Sequence, residues 1–174
     1  MKENTNLKVV GQITDKIYDT KGNLIETREG HNLVVTSILP LLASLLKKDS
    51  NFTGLQYWAI GQGDSSWDTT LPDPTVGDTQ LVSELGRVAI PDTDVTYLDD
   101  NLSPSNTPTH ILQIRHTFDE NTLNGTWREF GIFGGNASAT LGSGIMLNHR
   151  NHARLDKTSE MIVERTMRFT LTLV

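Results

Sequence analysis

Apolar and polar residues alternate along most of this chain at the two-residue spacing of strands, and one stretch departs from that spacing toward a helix. Residues Leu7 to Glu29 read as a β-hairpin. Val9, Val10, Ile13 and Ile17-Tyr18 lead into a turn at Asp19-Thr20-Lys21-Gly22, and Leu24-Ile25 return from it. Gly30-His31-Asn32 is expected to break the returning strand.

The helix is expected at about residues 36–48, with Thr36 or Ser37 as N-cap and Pro40 in the first turn, where its missing N–H costs little. Ile38, Leu41, Leu42, Leu45 and Leu46 recur at helical spacing, and Leu39 widens the stripe. Such a face needs a sheet or another subunit over it.

Leu55 to Ile60 is expected as a short strand, followed by a long polar loop from Gln62 to about residue 80, one helical turn and a strand over Thr79 to Ile90, and a second long loop from Pro91 to Pro108. From His110 the chain reads as continuous β. In His110 to Asp119, Leu112, Ile114, His116 and Phe118 share one face. The Asn124-Gly125 turn is expected to pair this strand with Thr126 to Phe133. Beyond a glycine-rich loop, Gly144 to His149 reads as a strand and Lys157-Thr158-Ser159 as a turn. In the final strand, Glu160 to Val174, Met161, Val163, Met167, Phe169, Leu171 and Leu173 keep one parity, interrupted by Arg165. The pattern predicts a mainly β fold, β-sandwich-like antiparallel sheets with one covering α-helix at 36–48, in a single domain over 1–174 with a short polar N-terminal arm at 1–6.

Composition narrows the functional classes. A net charge of −6 argues against a nucleic-acid module. With no cysteine, disulfides, thiol catalysis and thiolate metal sites are excluded. The polar N-terminus leads into no apolar run, so no secretory signal is read. The apolar stretch Leu33 to Leu46 is too short and interrupted to span a bilayer.

Candidate chemistry is sparse. Gly61-Gln62-Gly63 follows a strand, but Ser66 stands where a dinucleotide loop needs its third glycine. His149 and His152, with Asp156 nearby, suggest metal ligands, yet positions three apart on a strand point to opposite faces. Asp64, Asp68, Asp73 and Asp78 do not have the spacing of an EF-hand, which leaves calcium in the loop 64–78 as an open alternative. Ser143 lacks the nucleophile-elbow pattern, and Glu129 beside Arg128 reads as an ion-pair residue rather than a glycosidase acid. No catalytic, cofactor-binding or metal residue is assigned, and no cofactor is expected.

Several segments occur in one order: His31-Asn32-Leu33-Val34-Val35 before the leucine-rich helix, Tyr57-Trp58-Ala59-Ile60-Gly61-Gln62-Gly63-Asp64, and Leu81-Val82-Ser83-Glu84-Leu85-Gly86-Arg87. Trp127-Arg128-Glu129-Phe130-Gly131-Ile132-Phe133, Gly144-Ile145-Met146-Leu147-Asn148-His149-Arg150 and Glu164-Arg165-Thr166-Met167-Arg168-Phe169 follow. Together they resemble a family of small structural proteins of tailed bacteriophages and prophages: tail-fibre-associated, baseplate or minor structural proteins. The resemblance covers residues 7 to 174 and carries no catalytic residues. It implies a non-enzymatic virion subunit in a tail, baseplate or fibre attachment, made in the bacterial cytoplasm without a signal peptide. It would act through contacts with copies of itself and with other virion proteins, not with nucleic acid or membrane. Loops 62–80 and 91–108 and the N-terminal arm are the segments expected to reach neighbours.

Two alternatives stand beside this reading: a capsid decoration protein, and a carbohydrate-binding module for a host surface glycan. The second rests on aromatic residues in polar loops, and Trp67 and Tyr97 are the candidate glycan or partner contacts.

Overall fold

The computed structural model describes residues 6–174. Its strands are β1 (Leu7–Asp19), β2 (Leu24–Val34), β3 (Thr53–Gly61), β4 (Glu84–Ala89), β5 (Val95–Leu98), β6 (Pro104–Ser105), β7 (Ile111–Phe118), β8 (Gly125–Gly135), β9 (Ile145–Lys157) and β10 (Met161–Leu173), with one helix, α1 (Ile38–Leu46). They form one curled antiparallel sheet in the order β4-β3-β8-β9-β2-β1-β10-β7-β5-β6. The expected β-sandwich-like class with one helix is what the chain adopts.

β2 makes the curl. Its residues Leu24 to Asn32 pair with β1, while Leu33 and Val34 pair with His149 and Asn148 of β9. The strand therefore runs through Gly30-His31-Asn32 instead of breaking there. Gly30 is tolerated because a side chain is unwanted: a Cβ would lie 2.4 Å from Nη2 of Arg150. Where β2 leaves β9, arginines bridge the seam, Arg28 donating to the Ala153 carbonyl at 3.1 Å and Arg150 to that of Glu29 at 3.3 Å.

The two halves of the sheet face one another across an aromatic centre. Trp58 of β3 meets Phe118 of β7 at 6.4 Å between ring centroids, and Phe118 meets Trp127 of β8 edge-on at 5.1 Å. This packing overturns the expected pairing of β7 with β8. β7 pairs with β10 and β5, whereas β8 pairs with β3 and β9. Asn124-Gly125 is the end of an arch that crosses between layers, not a hairpin turn. Buried Lys157 holds the arch by donating to the Asp119 carbonyl and to Oδ1 of Asn124, and the Trp127 indole donates to the Leu123 carbonyl at 2.7 Å.

Other differences have local causes. Ser37 stands at the N-cap of α1 as expected but makes no side-chain cap bond; the hydroxyls of Thr36 and Ser37 donate instead to the carbonyls of Val76 and Met146, tying the helix start to the loop and to β9. No helical turn forms after Thr79, because the Val82 and Ser83 N–H groups donate to Glu129. Part of the 91–108 loop becomes β5 and β6 at the sheet edge. Strand β9 continues eight residues past His149 to Lys157, although the added stretch is polar.

The polar arm expected at 1–6 lies, apart from Asn6, outside the described residues. Asn6 and Val174 exchange two backbone hydrogen bonds, 2.7 and 2.9 Å, so these two positions are tied to each other.

One close approach yields a prediction. At the irregular β3–β8 pairing, a Cβ on Gly134 would stand 2.2 Å from the carbonyl oxygen of Gly54, and backbone cannot swing aside as a side chain can. Gly134→Ala should destabilise by about 1–3 kcal/mol or more, read as a lowered urea midpoint with unchanged slope; an unchanged midpoint would mean that the two strands can separate freely here.

Candidate functional sites

The densest polar chemistry lies where loop 62–83 crosses the outer face of β8 and β9. The neighbouring residues Arg128 and Glu129 hold it at two places. Glu129 is fully buried and accepts from the N–H groups of Gly63 (3.1 Å), Val82 (2.9 Å) and Ser83 (2.8 Å), and from Nε2 of His149 (3.1 Å). Nδ1 of His149 meets Asp78 at 2.7 Å, and Asp78 accepts in turn from the backbone of Thr75. Gly61 makes room for this carboxylate, since a Cβ there would sit 2.5 Å from Cγ of Glu129.

An ionised carboxylate can only accept, so a histidine bonded to two of them donates from both nitrogens and carries a positive charge. Burial works against that charge, but the hydrogen bonds to Glu129 and Asp78 outweigh it and raise the His149 pKa. For Glu129, burial is likewise overcome by His149 and the backbone donors, and its pKa is lowered. The result is a latch between loop and sheet. Ionised as it is, Glu129 is not poised to act as a general acid.

Arg128 points elsewhere. Its Nε and Nη2 grip the Asp68 carboxylate at 2.7 and 2.8 Å, and its Nη1 donates to the Gln62 carbonyl. Arg154 adds a third bond to Asp68 at 3.2 Å and holds Asp156 at 2.9 Å. The hydrogen bonds from Arg128 lead in bringing the Asp68 pKa down to about 2.

The four loop aspartates do not assemble. Asp64 caps the Ser65–Asp68 turn by accepting from the Ser66 N–H, Asp68 belongs to the arginines and Asp78 to His149. Among the described residues no group of three or more His, Asp or Glu side chains is arranged to hold a metal ion. His149 and His152 diverge: His149 serves the latch, while His152 lies inside, 6.2 Å from the Phe130 ring. Ser143 staples its own loop, donating to the Thr140 carbonyl.

The two aromatic candidates are separated. Trp67 is half-buried, with its ring against Gly63, where a Cβ would be only 2.4 Å from it. It lines an open hollow of about 540 Å³ together with Asp68, Thr69, Leu71, Ala153 and Arg154. Tyr97, on β5, lines a different cleft of about 390 Å³ between α1 and the strand ends, whose walls include Leu41, Leu45, Leu55, Phe169 and Leu171. No residue lines both.

The helix beside that cleft buries Leu41 but leaves Leu46 86% and Leu39 58% exposed. Leu7, Leu173 and Val174 are exposed as well. Sequence reasoning singled out Asp68 and Asp78 but not their pairings: Asp78 lies 71 positions from His149 and Asp68 lies 60 from Arg128, distances at which no local spacing signals contact.

A second charged centre is internal. Arg165 of β10 is fully buried, donates from Nε and Nη2 to Asp15 of β1 at 2.7 Å each, and lies 4.1 Å over the centroid of Phe130. It occupies the gap in the apolar parity of β10.

No protein-family model matches this chain, and no curated protein matches it in sequence.

Proposed function

We propose that this chain is a non-enzymatic structural subunit of a bacteriophage virion, in a tail, baseplate or fibre attachment, working through contacts with copies of itself and with other virion proteins. The ordered segments that resemble small phage structural proteins support the virion setting. The observation that carries the mechanism is α1, with Leu39 and Leu46 in water beside an open aliphatic cleft. Water is a costly neighbour for such side chains: covering a leucine is worth about 1.5–3 kcal/mol. Glu129, His149, Asp15 and Arg165 are committed to internal pairing, which fits a part that holds position rather than one that turns over substrate.

Loop 62–83 plays a smaller part in assembly than its length suggests, being tied to its own sheet. Contacts with neighbours fall on α1, the cleft and the adjoining strand ends. The same surface would serve a capsid decoration protein, and particle location separates the two.

Leu46→Glu tests the mechanism, since so exposed a position contributes little to folding. In a two-fold assembly it acts once per subunit, so association should weaken by about 10²–10⁴-fold, with an unchanged thermal midpoint, in sedimentation velocity and in rebinding to particles lacking the protein. A parent chain that stays monomeric and never joins a particle would refute the reading.

A further inference from the structure

We infer that the hollow at Trp67 is a saccharide site, taking a neutral pyranose on the indole with Arg154, Asp68 and Thr69 addressing its hydroxyls. The loop around Trp67 is already secured on both sides without it. Arg128 holds Asp68, Glu129 holds Gly63 and Val82, His149 holds Asp78, and the Asn151 amide donates to the Pro72 carbonyl at 3.0 Å. A large aromatic that only anchored this loop would be redundant and would be covered. Instead the ring rests on Gly63 and borders an open hollow of about 540 Å³, within the roughly 300–1,000 Å³ of small-ligand sites.

The polar wall suits hydroxyl recognition. Arg154 spends Nε on Asp156 and Nη1 on Asp68, leaving Nη2 without a partner among the described residues. Asp68 is fixed in orientation by two guanidinium groups and offers further acceptor capacity. Held donors and acceptors lose little freedom when a ligand arrives. The two arginines and the two carboxylates they bind, Asp68 and Asp156, balance in charge, which favours a neutral sugar over an acidic one. Aromatic stacking on the apolar face of a pyranose completes the fit. Tyr97 has no part in this site, and the site does not depend on the assembly surface, with which it shares no lining residue.

Tryptophan fluorescence reads this position selectively, because Trp58 and Trp127 are both 0% exposed and acrylamide reaches Trp67 first. Methyl glycosides of glucose, galactose, N-acetylglucosamine and rhamnose serve as probes, in the millimolar range. At least one is expected to shield Trp67 from acrylamide and to receive saturation transfer from the protein by NMR. Trp67→Ala should abolish the transfer, and Arg154→Ala should weaken binding about tenfold without moving the thermal midpoint. The proposal is overturned if none of the four probes shields Trp67 or receives saturation. It is equally overturned if Arg154→Ala binds as well as the parent, or if Trp67 is shielded only by raising protein concentration, which would make the hollow a subunit contact.

Discussion

Asp15→Ala is expected to cost about 3–5 kcal/mol of folding stability, because it strands the Arg165 guanidinium in the core. Arg165 has no exposure to water, its two short bonds to Asp15 are its hydrogen-bonded partners, and its Nη1 has none. The ring of Phe130 beneath it is a weak substitute, worth about 2 kcal/mol when desolvated. Burial raises the Asp15 pKa, but the charge of Arg165 prevails and keeps the carboxyl below its usual range. Removing both charges should be milder than removing one: Asp15→Val with Arg165→Met replaces the pair by apolar volume and should recover much of the loss. Equilibrium urea unfolding of the two single variants and the double variant decides this. A double variant no more stable than Asp15→Ala would show that the pair is not the source of the cost.

The second large effect is a stability maximum set by two histidines of one strand that titrate in opposite senses. His152 is buried, its Nδ1 donates to the Ala153 carbonyl at 2.8 Å, and its Nε2 has no partner. Burial first, then the charge of Arg165, pushes its pKa down to about 4. The folded state therefore resists a proton that the unfolded chain accepts from about pH 6.5 downward. This contribution is whole above pH 6.5 and is lost as pH falls toward 4, by about 3 kcal/mol at most.

His149 runs the other way. Its pKa is raised, so its contribution is whole below pH 6.5 and is lost as pH climbs through the raised value. Glu129 and Asp78, with lowered pKa values, contribute above their ordinary carboxylate range and lose that contribution as pH falls through the lowered ones. Stability should thus peak around pH 6.5 and decline on both sides. Urea midpoints from pH 4 to 9 test it: His152→Gln should flatten the acid limb and His149→Gln the alkaline limb. An acid limb as steep in His152→Gln as in the parent would contradict the assignment.

How much was legible follows from where each signal lives. The alternation in β10 reads correctly from Val163 to Phe169 but not at Leu173, which is exposed, and Arg165 stands out within it because a charge at an inward position needs a partner. That the partner is Asp15, 150 positions away, is beyond local pattern. The polar half of β9 was missed because its burial is satisfied by side chains from other segments. Lys157 at its end adds nothing to an apolar rhythm, yet it is buried because its ammonium donates to the Asp119 carbonyl and to Oδ1 of Asn124. The β7–β8 arch was misread because Asn124-Gly125 serves a hairpin and a layer crossing equally well. What separates them is whether Phe118 and Trp127 pack edge-on across the interior or lie side by side in one sheet. Trp67 was singled out from composition alone, but Arg154, the residue that gives its hollow a polar wall, carried no signal of its own.

The pairing of Asn6 with Val174 has a mechanical consequence. β1 and β10 are antiparallel neighbours paired from Leu7–Leu173 through Asp19–Met161, so both strands begin to part from the same end. A pull applied through these two positions would strain one hydrogen-bonded pair at a time, and the ladder would open like a zip at low force. A pull across the faces of the sheet would instead load many bonds together. Any tension this protein bears is best carried through its flanks, with the tied ends kept out of the line of force.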